Sequence, residues 1–228
     1  MRKDIYSGQD PRSVPVYSVN EVAHHLRLPA STVRAWVRSR GGPSPFERVI
    51  VPDDGKGSLL SFQNLVEIHV LSSLRGYEIP LPRIREAIGF MRKQFATDHP
   101  LADIQLLADG TDIFAHMLDA FIAVTRGGQV ALKPVIEKYL HRIERDEKGL
   151  LLRLYPFLDA KRSGRLIAID PHRKFGRPYL VDAGVETSVI VSRHRAGESV
   201  AELARDFNTT KASIEGALLF ENAAKKAA

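Results

Sequence analysis

The sequence predicts an α+β chain, mainly helical, folded in three segments behind a short arm. Three observations predict it. Apolar residues recur at helical spacing behind two serine–glutamate capping signatures, Ser18/Glu21 and Ser199/Glu202. The stretches 63–74 and 81–95 carry the same helical period. Short apolar runs joined by Asp-Gly and Gly-Gly turns stand before and after them and read as strands.

Residues 1–14 are polar and form a loose arm. Ser18 opens a helix whose Val19, Val22, Ala23 and Leu26 share one face, and Leu28-Pro29-Ala30 ends it. A second helix starts at about Ser31. Val33, Trp36 and Val37 lie on one side; Ser31, Arg34, Ala35 and Arg38 lie opposite, with Arg40 just beyond. A short helix, a tight turn and a second helix with an arginine-lined face describe a helix-turn-helix that fits a major groove. On these residues alone, a helical hairpin with a solvated basic face fits equally. The runs 46–52 and 58–62 flank Asp53-Asp54-Gly55-Lys56-Gly57, a hairpin turn placed where a wing would sit. Arg48 and Lys56 are its candidate phosphate contacts. Amphipathic helices follow over 63–74 and about 81–95.

This order, over roughly 15–96, resembles the MerR family of winged-helix regulators. Thr32-Val33-Arg34 stands where that family has Thr-Leu-Arg, and Gly76 to Ile84 stands where it has a glycine, a turn and the next helix. The resemblance implies DNA contacts from Ser31, Thr32, Arg34, Trp36, Arg38, Arg40, Arg48 and Lys56. Three departures stand out. The family's paired aromatics are here Ala35-Trp36, and its arginine near the end of the wing is missing around Leu59-Leu60. Its long dimerising helix is also absent, because Thr97-Asp98-His99-Pro100 stops the chain. DNA-twisting activation is therefore not carried over.

Composition narrows the function classes. Among 228 residues there is no cysteine, which removes disulfides, thiolate catalysis and thiol sensing. No apolar run approaches the ~20 residues of a membrane span, and MRKDIYSGQD has no apolar segment of a secretory signal. A cytoplasmic location is expected. The net charge of +6 is uneven: 1–96 hold 14 Lys+Arg against 9 Asp+Glu, while 97–163 hold 9 against 10. The basic excess lies on the segment that reads as a DNA reader.

The middle segment, 97–163, reads as a small mixed domain. Runs 104–107 and 113–116 around Asp109-Gly110 form one expected hairpin, and 120–124 with 129–132 around Gly127-Gly128 form another. Pro134 opens an expected helix to about Asp146, and strands are expected over 150–157 and 166–169. Asp103, Asp109, Asp112 and Asp119 invite a metal-nuclease reading, but aspartate also favours turns for backbone reasons. The histidines show no metal-ligand spacing, and there is no P-loop or Gly-x-Ser-x-Gly. No metal, no cofactor and no catalytic residue is expected.

The C-terminal segment, 164–228, repeats the first pattern. Ser199 to Ala204 matches Ser18 to Ala23, and Ser213-Ile214 matches Thr32-Val33 fourteen residues on. Glu215 and Leu219 replace Arg34 and Arg38, which suits protein contact better than a phosphate backbone. Ile169-Asp170-Pro171, Phe175-Gly176-Arg177-Pro178, Ala196 to Ser199, Glu202 to Phe207 and Ile214 to Leu218 resemble a small domain of undetermined role found in bacterial antitoxins. With the N-terminal reader, the chain is similar to one group of VapB-type antitoxins. The resemblance implies a homodimeric repressor that binds double-stranded operator DNA and neutralises a PIN-like ribonuclease toxin. Arg173, Lys174, Arg193, Arg195, Glu215 and Leu219 are its candidate toxin or dimer contacts. The alternative is an effector-responsive MerR-like regulator, which needs a concave apolar pocket in 101–158.

Overall fold

The computed structural model describes residues 6, 8–39, 47–56, 58–74, 77, 79–103, 110–126, 132–156 and 165–225. Expectations placed on Arg40, Phe46, Gly57, 104–109, 127–131 and 157–164 lie outside these residues. The described residues form a mixed α+β structure of nine α-helices and small two-stranded pairs. No helix among them is long and apolar enough to cross a membrane. The chain packs as two compact units, Met1–Val19 with Ser31–Leu151, and Asn20–Ala30 with Leu152–Ala228. These boundaries do not coincide with the three expected segments. Helix α1 (Val19–Leu26) groups almost wholly with the C-terminal unit.

In the N-terminal unit, β1 (Tyr17–Ser18) pairs antiparallel with β2 (Leu59–Leu60), with Tyr17 opposite Leu60. The expected wing hairpin therefore does not form. Its first arm, from 47 onward, is a loop, and Asp54 explains why. The Asp54 carboxylate accepts the backbone N–H groups of Lys56 (2.9 Å), Ser58 (2.9 Å) and Leu59 (2.7 Å), which closes the loop on itself. Leu60 is left to pair with the arm, where its carbonyl accepts the Val16 N–H at 3.0 Å. Helix α2 (Ala30–Val37) forms as expected. Its last turn presents the Trp36 carbonyl to the N–H groups of Val49 (2.8 Å) and Ile50 (2.9 Å), pinning the loop to the helix.

Helix α3 (Phe62–Ser72) starts from a capping box between Ser61 and Asn64. It was expected to be amphipathic, but every residue except Gln63 is buried, so it is the unit's central helix. Helix α4 (Leu81–Phe95) has the expected bounds, set by Pro80 and Pro82 at its start and left-handed Ala96 at its end. The expected hairpins are overturned by α5 (Gly110–Arg126), which runs through 113–116 and 120–124. Buried Phe114, Ala115 and Leu118 explain the correction, because their spacing is that of one helical face. Helix α6 (Lys133–Leu140) ends six residues before Asp146, and β3 (Ile143–Arg145) takes the remainder. The turn after β3 is nucleated by Asp146, whose carboxylate accepts from Lys148 and Leu150 (2.9 Å each), and by left-handed Gly149. Helix α4 packs on α5, α5 on α6, and α3 on α6 and β2.

The chain enters the C-terminal unit along β4 (Leu151–Leu154), where Leu154 exchanges two backbone bonds with Ile169 (2.9 and 2.8 Å). Strands β5 (Ile167–Ala168) and β6 (Tyr179–Leu180) pair antiparallel, Ile167 opposite Leu180 and Ala168 opposite Tyr179. Helices α7 (Thr187–Arg195) and α8 (Val200–Asp206) both pack on α9 (Lys211–Lys225). The expected Ser199/Glu202 capping box is present at the start of α8. Ile167, Leu180, Ile190, Leu203, Ile214, Ala217 and Phe220 form the core. Helix α1 joins this unit through His24, whose Nε2 lies 2.9 Å from the Glu221 carboxylate and whose ring meets Phe220 edge-on. Thr187 donates its hydroxyl proton to the same carboxylate. Burial works against the Glu221 charge, but the His24 and Thr187 hydrogen bonds hold it below the usual carboxylate range.

Candidate nucleic-acid interface and partner surface

Helix α2 divides as its sequence requires. Val33, Trp36 and Val37 are buried, Ser31 and Arg38 are exposed, and Thr32 and Arg34 are half-buried. Trp36 is only 6 % exposed, so its indole belongs to the core. It is withdrawn from the candidate DNA contacts, because the same 3.6-residue period that exposes Arg38 turns it inward. The Trp36 carbonyl brings the loop 47–56 against the end of α2. Within that loop Lys56 is exposed, whereas Arg48 is half-buried and donates through Nη1 to the Gly55 carbonyl at 3.2 Å. Ser31, Arg38 and Lys56 are thus the candidate contacts that stand exposed on this surface.

A network that sequence reasoning missed holds the loop in place. Asn64 accepts the Asp53 N–H at 3.2 Å and donates to the Val51 carbonyl at 2.8 Å. His99 bridges two carboxylates, Nε2 to Asp53 at 3.1 Å and Nδ1 to Glu67 at 3.0 Å. Burial opposes the His99 charge, but its hydrogen bonds to the two carboxylates push its pKa up to about 10. Burial raises the Glu67 carboxyl, with the His99 hydrogen bond working against that rise. The available signal was Glu67 itself, the one carboxylate in helix α3, flanked by Val66 and Ile68, which once buried requires a partner.

A cavity of about 170 Å³ lies in the same unit, with Arg12, Gln63, His99, Asp103, Arg145 and Lys148 among its lining residues. Arg145 donates to the carbonyls of Ala102 (2.7 Å), Asp103 (3.1 Å) and Gly149 (3.0 Å). Ala102, Leu150 and Leu151 line it together with these polar side chains, so its walls are mixed rather than wholly apolar as expected for an effector pocket. Among the described residues no cluster of three or more His, Asp or Glu is arranged to hold a metal ion. Asp112 instead pairs with Lys133 at 2.6 Å.

The candidate contacts of the C-terminal unit separate into two kinds. Arg193 is committed internally: it pairs with Glu198 and Asp206 and lies over the Phe207 ring at 4.8 Å. Its role is to tie α7 to α8. Arg195 is exposed at the end of α7, and Glu215 and Leu219 are exposed one turn apart on α9. Arg173 and Lys174 are exposed on the β5–β6 loop, beside Phe175. Lys174 (φ 52°), Phe175 (φ 53°) and Gly176 (φ 73°) are successive left-handed residues. Only the last is of a type that adopts this conformation readily. Each strained residue costs about 1–3 kcal/mol, and the surrounding structure must supply it.

Comparison with known proteins bears on both units. A family model described as "Protein of unknown function (DUF433)" matches residues 167–220. A Mycobacterium tuberculosis protein named "Putative antitoxin VapB45" is 25 % identical over 90 % of this chain and 93 % of its own length. "Uncharacterized protein Rv2308" from the same organism is 28 % identical over 89 % of this chain and 88 % of its own length. The crystal structure of Rv2018 from Mycobacterium tuberculosis superposes with a TM-score of 0.67 at 25 % identity, covering 90 % of this chain and 97 % of that one.

Proposed function

We propose that this chain is a non-enzymatic antitoxin that binds its own operator DNA as a homodimer and neutralises a PIN-like ribonuclease. The observation that carries the reading is the near full-length similarity to the VapB45 relative. The match of 167–220 to the DUF433 model agrees with it. DNA contact is assigned to the exposed face of α2 and the adjoining loop, through Ser31, Arg38 and Lys56, with Thr32 and Arg34 at the margin. A dimer follows from surface: one reader of this size covers too little DNA for tight specific binding, and a dimer matches two half-sites. Exposed Glu215 and Leu219 on α9 are its candidate contacts. The protein acts in the cytoplasm on this reading.

Co-expression tests the proposal. The chain should restore growth when the product of the neighbouring gene is toxic, and should shift a DNA fragment carrying its own promoter. Absence of both activities would refute it. The effector-responsive alternative is favoured by one observation, the cavity that Ala102, Leu150 and Leu151 line together with Arg145 and Lys148.

A further inference from the structure

We infer that the β5–β6 loop is a docking knob: Phe175 seats in an apolar socket on a protein partner whose rim is acidic and meets Arg173, Lys174 and Arg177. The inference rests on the antitoxin reading for the existence of that partner, and adds which segment grips it and by what chemistry.

Phe175 is 62 % exposed, more than any other large apolar side chain among the described residues. It is not displayed by a slack loop. Asp170, itself buried, accepts the His172 N–H on its carboxylate (2.9 Å) and the Arg173 N–H on its carbonyl (3.0 Å). The Arg173 carbonyl accepts from Gly176 and the Lys174 carbonyl from Arg177, both at 3.0 Å. Pro171, Gly176 and Pro178 are buried, and the β5–β6 pairing closes the stem. A phenylalanine fixed outward on strained, braced backbone is preorganised for contact, so little freedom is lost when it docks.

The surroundings choose the partner. His172, Arg173, Lys174 and Arg177 are all exposed within three positions of Phe175 along the chain. Arg177 reaches Glu186 only at 3.4 Å, and Arg173 and Lys174 have no carboxylate partner among the described residues. An aromatic anchor flanked in the chain by exposed cations fits an apolar socket edged with carboxylates. Single-stranded nucleic acid would also meet the cations, but it is gripped by successive aromatic platforms. The other exposed large apolar residues of this unit, Val181, Val189 and Leu219, are aliphatic. A protein partner is the better fit.

The test uses the full chain and the purified product of the neighbouring gene in calorimetric titrations. Phe175→Ala should weaken binding about 30-fold or more, with the circular dichroism spectrum unchanged because the ring lies outside the core. The double reversal Arg173→Glu with Lys174→Glu should weaken it comparably, and wild-type affinity should fall as salt rises. Equal binding by wild type and Phe175→Ala overturns the inference while leaving the antitoxin reading standing. No binding by the wild-type chain removes both. Fluorescence anisotropy with a single-stranded oligonucleotide covers the rival occupant: Phe175-dependent oligonucleotide binding, with protein binding unaffected, overturns it in favour of nucleic acid.

Discussion

His99 Nδ1 lies 3.0 Å from the carboxylate of Glu67, a side chain wholly buried on the central helix of the N-terminal unit. The pair joins the chain after α4 to α3, and through Asp53 to the loop that carries Lys56. A charge in such surroundings is tolerated only with its partner in place. His99→Ala should therefore cost about 3–5 kcal/mol, the usual loss when one member of a buried pair is removed. Urea unfolding of the two proteins measures it.

The same pair sets the alkaline limit. His99 is raised from 6.5 to about 10, so its contribution is fully present below pH 6.5 and is lost as pH rises through about 10. Stability of the wild type should decline between those values, and that of His99→Ala should decline less. Parallel profiles would place the linkage elsewhere.

The acid limit has a different origin. Burial and the nearby Arg142 charge push His69 down to about 3, and burial and the His24 charge push His25 down to about 4. Groups kept neutral in the fold stabilise it above their unfolded value of about 6.5 and lose that contribution as pH falls toward the folded one. Each tenfold change in proton affinity is worth about 1.4 kcal/mol. Unfolding should become easier from about pH 6.5 downward, before the carboxylates titrate. Constant stability between pH 6.5 and 5 would contradict this.

Arg38→Ala should weaken operator binding by about 1–3 kcal/mol if the guanidinium reads a base. Lys56→Ala should weaken binding to all sequences alike and reduce the salt slope by about 1, the mark of a phosphate contact. Trp36→Ala should instead unfold the unit, with a core loss of about 3–5 kcal/mol. Gel-shift titrations at several salt concentrations, paired with thermal melts, separate the three outcomes.

Lys174→Gly should stabilise the isolated chain. Glycine adopts φ near 52° without strain, so relief of about 1 kcal/mol is expected despite the larger unfolded-state entropy. A lower melting temperature would show that the lysine stem packs where the backbone strain is offset.

Local signals were read well where local chemistry decides structure. The bounds of α4 follow from Pro80 and Pro82, and the start of α8 from Ser199 and Glu202. Tyr17 and Leu60 pair across 42 intervening residues, which no turn signal announces. The segment of α5 was misread because Asp109-Gly110 and Gly127-Gly128 look like turns, although Phe114 and Leu118 already lie four apart on one helical face. At the candidate interface, periodicity placed Arg38 outward and Trp36 inward, so assigning both to DNA set one residue against its own pattern. His99, Glu67 and Asp53 come together only through tertiary packing, and scattered acidic and basic residues give no spacing to find.

His24 of helix α1 and its hydrogen-bond partner Glu221 are separated by 197 positions. At a synthesis rate of about 5–20 residues per second, the helix leaves the ribosome about 10–40 s before the residue that will hold it. During that interval His24 has neither the Glu221 carboxylate nor the Phe220 ring to meet. The C-terminal unit is thus closed by an early segment waiting for a late one. A nascent chain stalled before α9 would expose α1 to chaperones and proteases, which ties the survival of the first helix to completion of the last.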